Sequence, residues 1–208
     1  MTLPELNITV YSDYICPFCY VGHHRLQRLR DSYDLKINWC FLEIHPETSA
    51  LGEPIESLDY PSETWQKMVS NLVRVAKEEN IPLSTLSFIT NSKDALLLSE
   101  YAKTFGRDVF YALHERLFTA YFVDSKNIGD REVLKEIAKD CGITADISPA
   151  WEDKKYQQRL LENFNSARQH NIQSVPSFVF GNRVLSGVVA ESVFREAAEQ
   201  LTATQTVR

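Results

Sequence analysis

Residues 7–12 (NITVYS) are rich in β-branched and aromatic side chains and predict a strand. Pro17 follows closely and suits the first position of a helix, because its missing N–H would go unpaired there anyway. That helix should run to about Asp31, with Phe18, Gly22, Leu26 and Leu29 roughly along one side. Residues 36–44 (KINWCFLEI) are apolar without a break from Trp39 to Leu42, as expected of a strand buried on both faces of a parallel sheet. Strand, helix and strand in that order make a βαβ unit.

From Ser62 the period changes. Trp65, Met68, Val69, Leu72, Val73 and Ala76 fall at i, i+3, i+4, i+7, i+8 and i+11, painting one face of a helix that Asn80 and Pro82 end. Further helices are predicted over 92–105, stopped by Gly106; over 108–122; and over 130–141, capped by Gly142. A fifth opens with Ser148 as N-cap and Pro149 in the first turn, and should carry Tyr156, Leu160, Leu161, Phe164 and Ala167 inward. After His170 the strand signal returns as 177–180 (SFVF), the pair Gly181-Asn182, and 183–186 (RVLS), a hairpin pattern. A last helix over 190–201, with Val193, Phe194, Ala197 and Leu201 inward, leaves 202–208 as a frayed tail. The outline is α/β: a βαβ half and a ββα half, residues 1–61 and 171–208, split by an all-helical insertion over 62–170.

Composition narrows the chemistry. The 208 residues are 44% hydrophobic and 24% charged, with seven glycines and eight prolines, which excludes disorder and fibrous classes. With 22 basic against 28 acidic residues, a net charge of −6 and no Lys/Arg block, the chain is not expected to bind nucleic acid. Its apolar runs are too short to span a bilayer, and no charged-then-apolar signal stretch precedes the first strand, so the cytoplasm is the expected location. Four cysteines do not make a disulfide scaffold, and two of them sit as Cys16-Pro17-Phe18-Cys19 between a strand and a helix.

That position matters because a helix N-terminus exposes unpaired N–H groups and a partial positive charge. If Pro17 is the first helical residue, Cys16 is the N-cap, and its sulfur can accept the N–H of Phe18 or Cys19. A free cysteine near pKa ~8.5 can fall to roughly 3.5–7.5 in such a site. Cys16 is therefore the expected nucleophile, and Cys19, one turn on and more buried, can resolve the mixed disulfide that Cys16 forms.

Blander readings compete. A CxxC can be half of a zinc site with His23 or His24 adding a ligand, but no second Cys/His pair at finger spacing exists, so no metal is expected. His23 and His24 read as solvated helix residues whose possible role is to raise the local positive potential. Cys40 reads as a small core side chain and Cys141 as packing at a helix end. Glu43, flanking an apolar strand, suits either a proton relay for Cys19 or a strand-end residue reaching solvent.

The run Ser12-Asp13-Tyr14-Ile15-Cys16-Pro17-Phe18-Cys19-Tyr20-Val21-Gly22, together with Ser174-Val175-Pro176-Ser177-Phe178 far downstream, resembles the DsbA-like thioredoxin-fold oxidoreductases, in particular the FrnE-like branch. The segment Trp39-Cys40-Phe41-Leu42-Glu43-Ile44-His45-Pro46 is similar to that branch's second strand and turn. The resemblance implies a thioredoxin fold interrupted by a helical domain, with Cys16 attacking, Cys19 resolving, and Val175-Pro176 as a cis-proline loop against the pair. Only about 5–6% of X-Pro bonds are cis in folded proteins, so the cis expectation rests on the resemblance alone. Beside the sulfurs, Ser174, Val175, Pro176 and Phe18 would form the substrate-binding surface, with the Val175 backbone pairing an extended peptide. The dipeptide Pro17-Phe18 replaces the Pro-His of strongly oxidising members; Phe18 supplies no cation, so the couple should be less oxidising.

The expected activity is thiol–disulfide exchange with protein or small-molecule disulfides or thiols, using only the chain's own cysteines as its redox group and with glutathione as a possible reductant. Two alternatives stay open. One is a glutathione-dependent transferase or isomerase of the kappa-class or hydroxychromene-carboxylate type, relatives that carry serine where Cys16 stands. The other is a non-enzymatic redox-regulated holdase or metal-binding module, with an apolar groove lined by Trp65, Met68 and Phe88.

Overall fold

The strand predicted first forms as β1 (Glu5–Ser12), which turns Leu6, Ile8 and Val10 to one buried face and Tyr11 to the other. In a computed structural model describing residues 3–58, 62–85 and 87–206, it is followed by α1 (Pro17–Gln27), a 3-10 turn over Arg28–Asp31, and β2 (Asp34–Phe41). Then come β3 (Glu53–Pro54), α2 (Ser62–Glu78), β4 (Phe88–Ile89), α3 (Lys93–Ala102), α4 (Arg107–Phe122), α5 (Arg131–Asp140), α6 (Pro149–Glu152) and α7 (Lys154–Gln169). The chain closes with β5 (Ser177–Phe180), β6 (Arg183–Ser186) and α8 (Glu191–Thr206).

The chain separates into two compact units, 1–42 with 163–208, and 43–162. The expected boundaries at 61/62 and 170/171 differ: segment 43–58 belongs with the helices, and the end of α7 belongs with the sheet. Residue 61 itself lies outside the described residues. The physical reason is visible on α7, whose Ala167 packs with Tyr11, Cys40 and Val179 on one face of the sheet.

The α/β unit is built on a four-stranded sheet of order β2-β1-β5-β6, parallel between β1 and β2 and antiparallel across β1/β5 and β5/β6. This is the thioredoxin arrangement, with a helical segment between its two halves. The hairpin expected around Gly181-Asn182 is present, and Gly181 takes a φ of 59° that a side chain would resist. On the face opposite Tyr11, Phe178 and Phe180 meet Phe194 of α8, all three at most 2% exposed. Strand β2 lies at the sheet edge, and its last three residues, Trp39, Cys40 and Phe41, are buried in succession, covered on both faces as the apolar run predicts.

In the helical unit Leu96, Leu98, Leu113, Leu117, Phe118 and Ile137 form part of a dry core of α3, α4 and α5 side chains. The stretch expected to be all-helical contains β4, paired antiparallel to β3. The helix expected from Ser148 is broken at Asp153, whose carboxylate accepts the Lys155 N–H at 3.0 Å and starts a second helix. Leu161 and Phe164, expected inward, are 51% and 53% exposed, while Tyr156 and Ala167 are buried. The last helix runs to Thr206, five residues past the expected end, and 207–208 lie outside the described residues. Among the described residues, no helix is long and apolar enough to cross a membrane.

Candidate active site

β1 ends at Ser12, Asp13 follows it, both are buried, and the chain then turns into α1. Asp13 shapes that turn: its side chain accepts the Ile15 N–H and its carbonyl accepts the Cys16 N–H, each at 3.3 Å. Pro17 occupies the first helical position as expected, leaving Cys16 as an N-cap of extended backbone, φ −83° and ψ 113°. The sulfur, however, makes no cap bond; the Cys16 carbonyl accepts from Cys19 N at 3.0 Å and Tyr20 N at 3.2 Å. The sulfur instead lies 3.7 Å from the carbonyl oxygen of Val175, to which its thiol donates. An N-cap side chain serves a helix only if it folds back over the first turn, and this one extends to the neighbouring loop.

Cys19 sits beneath Cys16 with 2% of its surface exposed. Burial holds its thiol well above the usual cysteine range, and its hydrogen bond to the Cys16 sulfur and the charge there push the same way. The Asp13 N–H and the Ser12 hydroxyl oppose this by donating to the Cys19 sulfur. Both cysteines are free thiols here, as are Cys40 and Cys141.

The downstream loop arrives from the end of α7. The peptide bond between Val175 and Pro176 is cis. Ser174 is exposed and its carbonyl accepts the Ser177 hydroxyl at 2.8 Å; Pro176 is buried and its carbonyl accepts Gly187 N at 2.8 Å. Val175 is half-buried against the Tyr11, Cys40, Ala167 and Val179 cluster, which leaves its carbonyl turned to Cys16. Phe18 is half-buried at the second position of α1. The fold thus gathers Cys16, Cys19, Val175 and Pro176 into one place from opposite ends of the sequence.

Several readings need correction. His23 is 4% exposed, not solvated, and lies with its ring centroid 5.9 Å from Trp39 and 5.7 Å from His24. Burial, then the charges of His24 and Arg30, lower its pKa to about 3, so it is neutral at pH 7 and adds no positive potential. Glu43, two residues beyond β2, accepts the Asn91 amide at 2.9 Å in the helical unit, a strand-end arrangement. An apolar groove runs along α2, lined by Val69, Leu72, Val73, Ile81 and Leu83. Among the described residues, no three His, Cys, Asp or Glu side chains come together as a metal site. Ser12 and Asp13 went unremarked as site residues, although two polar side chains closing an apolar strand just before the cysteine pair were a legible signal.

A thioredoxin-type sheet, a CxxC opening its first helix and a proline loop against the sulfur define the class of thioredoxin-fold dithiol proteins. The chain belongs to the family described as DSBA-like thioredoxin domain, which it matches over residues 7–199, a family of thiol–disulfide oxidoreductases. It is 29% identical over 197 residues to the uncharacterized protein YwbO of Bacillus subtilis (strain 168), covering 92% of this chain and 95% of that one. Its fold is shared with the probable DsbA oxidoreductase SCO1869 of Streptomyces coelicolor, at a TM-score of 0.84 and 23% identity, covering 96% and 91% of the two chains. It is shared also with a 2-hydroxychromene-2-carboxylate isomerase, at a TM-score of 0.77 and 18% identity over 97% and 98%.

Proposed function

We propose that the chain is a thiol–disulfide oxidoreductase that exchanges electrons with disulfide- or thiol-containing proteins or small molecules through Cys16 and Cys19. The observation that carries this reading is the stack of the Cys16 sulfur, 3.7 Å from the Val175 carbonyl, over the buried Cys19 thiol that donates to it. The Cys16 thiolate attacks a substrate disulfide, forming a mixed disulfide and expelling one substrate thiolate. Cys19 then gives its proton to solvent or to the departing thiolate and attacks the Cys16 sulfur. This releases the second substrate thiol and leaves a Cys16–Cys19 disulfide, two electrons having passed to the substrate. An external thiol, glutathione among the candidates, restores the dithiol, and the same steps in reverse oxidise a substrate. Ser12 and Asp13, donating to the Cys19 sulfur, support it while it carries charge. Val175, Pro176, Ser174 and Phe18 form the surface that receives the substrate. A cytoplasmic setting suits a chain in which Cys40 and Cys141 form no disulfide.

The likeness to the isomerase fold favours one second reading, a glutathione-dependent isomerase or transferase. Cys19→Ser separates the two. For the oxidoreductase it should leave a stable mixed disulfide on Cys16, visible by intact mass after incubation with glutathione disulfide, and turnover should fall on the order of a hundredfold or more. If Cys19→Ser keeps most of the wild-type turnover and no adduct accumulates, the isomerase or transferase reading replaces this one.

A further inference from the structure

Gly22 stands one turn beyond Cys19 on the same side of α1, over the downstream loop. It is not needed there for backbone freedom, since it lies inside a regular helix, where glycine is less favourable than alanine. What it provides is space. A Cβ on Gly22 would come within 2.8 Å of Phe178 Cζ and 3.4 Å of Pro176 Cγ. The first distance is over half an ångström short of ordinary van der Waals contact, given that carbon pairs settle at about 3.5–4.0 Å. The Phe178 ring has no room to retreat: it is 1% exposed, and Phe194, itself fully buried, meets it edge-on with centroids 4.7 Å apart. The helix would therefore have to rise. Cys16 is six residues from Gly22, roughly 9 Å along the same rigid rod, so a displacement of the rod reaches the sulfur.

From this geometry we infer that Gly22 is a positioning residue for the Cys16–Cys19 pair: its bare backbone sets how closely α1 lies on Pro176 and Phe178, and so the reach from the Cys16 sulfur to the Val175 carbonyl. The role rests on the exchange reading above, because the loop it brings near is the surface that receives the substrate. An added methyl pushes sulfur and loop apart, and misplacement of this size can cost up to about a hundredfold in rate. Shortening the opposing ring removes the obstacle, so Phe178→Leu should restore what Gly22→Ala takes away.

The test is a two-by-two set, wild type, Gly22→Ala, Phe178→Leu and the double variant, assayed for kcat/KM with glutathione disulfide and for the rate of Cys16 alkylation by iodoacetamide. Gly22→Ala should lose at least about tenfold in kcat/KM at a temperature where it remains folded. The double variant should return to within about threefold of Phe178→Leu, although both carry a core cavity and melt lower. If Gly22→Ala keeps wild-type kcat/KM and merely melts lower, or if Phe178→Leu fails to rescue it, the positioning role is overturned. Should Gly22→Ala not fold, the double variant against Phe178→Leu alone decides: equal activity supports the role, and loss overturns it. A wild-type protein inert toward every disulfide sinks the exchange reading instead. The alkylation arm then still reads the geometry, as Gly22→Ala should shift the Cys16 rate at least about threefold and the double variant should reverse the shift.

Discussion

The start of α1 and the end of β2 each bury thiols to nearly the same degree: Cys16 and Cys19 are 6% and 2% exposed, and Cys40 is 3% exposed. Burial does not distinguish them; their neighbours do. Cys40 packs among Tyr11, Ala167 and Val179, mostly apolar surroundings in which a thiol behaves as a small hydrophobe. Cys19 shares its space with a second sulfur, a hydroxyl and a backbone N–H, and Cys16 faces a carbonyl across a gap. Cys40 too accepts from a polar group, the Asn38 side-chain amide at 3.5 Å, so the second sulfur separates the regions: a thiol becomes chemistry when one lies in reach and remains packing when none does.

That contrast breaks first under removal of each sulfur. Cys16→Ala should cut disulfide exchange on the order of a thousandfold or more, since no other group supplies the nucleophile. Cys40→Ala should leave exchange within about twofold and cost about 1 kcal/mol of stability by urea unfolding, as a small cavity in the Tyr11 cluster. Equal losses of activity in the two variants would erase the distinction drawn between the two regions.

Labelling sharpens it next. Because burial and the Cys16 sulfur raise the Cys19 pKa, Cys19 stays a neutral thiol at pH 7 and should escape iodoacetamide while Cys16 takes it up. Mass spectrometry of the labelled peptides across pH 6–10 should find Cys19 modified only at the alkaline end, or after unfolding. Modification of Cys19 ahead of Cys16 at pH 7 would contradict the assignment of resolving and attacking thiols.

The smallest effect concerns His23, one turn beyond Cys19 in α1, which sits by Trp39. Its folded pKa of about 3 lies below the ordinary histidine value near 6.5, so the unfolded chain binds a proton that the folded chain refuses. The stability this gives is present above pH 6.5 and lost as pH falls toward 3, at up to about 1.4 kcal/mol per pH unit. Urea unfolding of wild type and His23→Gln at pH 7, 5.5 and 4.5 should show a flatter decline in the variant. Parallel declines would mean that His23 is not held neutral.

Much of the local structure was legible because it is set by neighbours in sequence. The start of α1 at Pro17, the hairpin at Gly181-Asn182 and the stop at Gly106 all follow from residues whose backbone preferences act within one turn. Amphipathic α5 was equally plain, since its apolar stripe faces a core, whereas the stripe of α2 is only partly covered and leaves Val73 52% exposed. Misreadings arose where one signal had two meanings. Leu161 and Phe164 keep helical spacing yet face outward. His23 read as solvated because nothing in its own helix shows that Trp39 covers it.

The sequence by itself determined most of the elements, the order in which they occur and the two sulfurs proposed to carry the chemistry, because propensity, capping and CxxC spacing act over a few residues. Only the tertiary structure decided that Val175, more than 150 residues from Cys16, turns its carbonyl to that sulfur. Tertiary packing also decided that Ser12 and Asp13 donate to Cys19, and that Gly22 needs to lack a side chain because Phe178 stands across from it. Those contacts depend on how strands pair and how closely a helix settles on a sheet, energies shared among distant residues that no local pattern records.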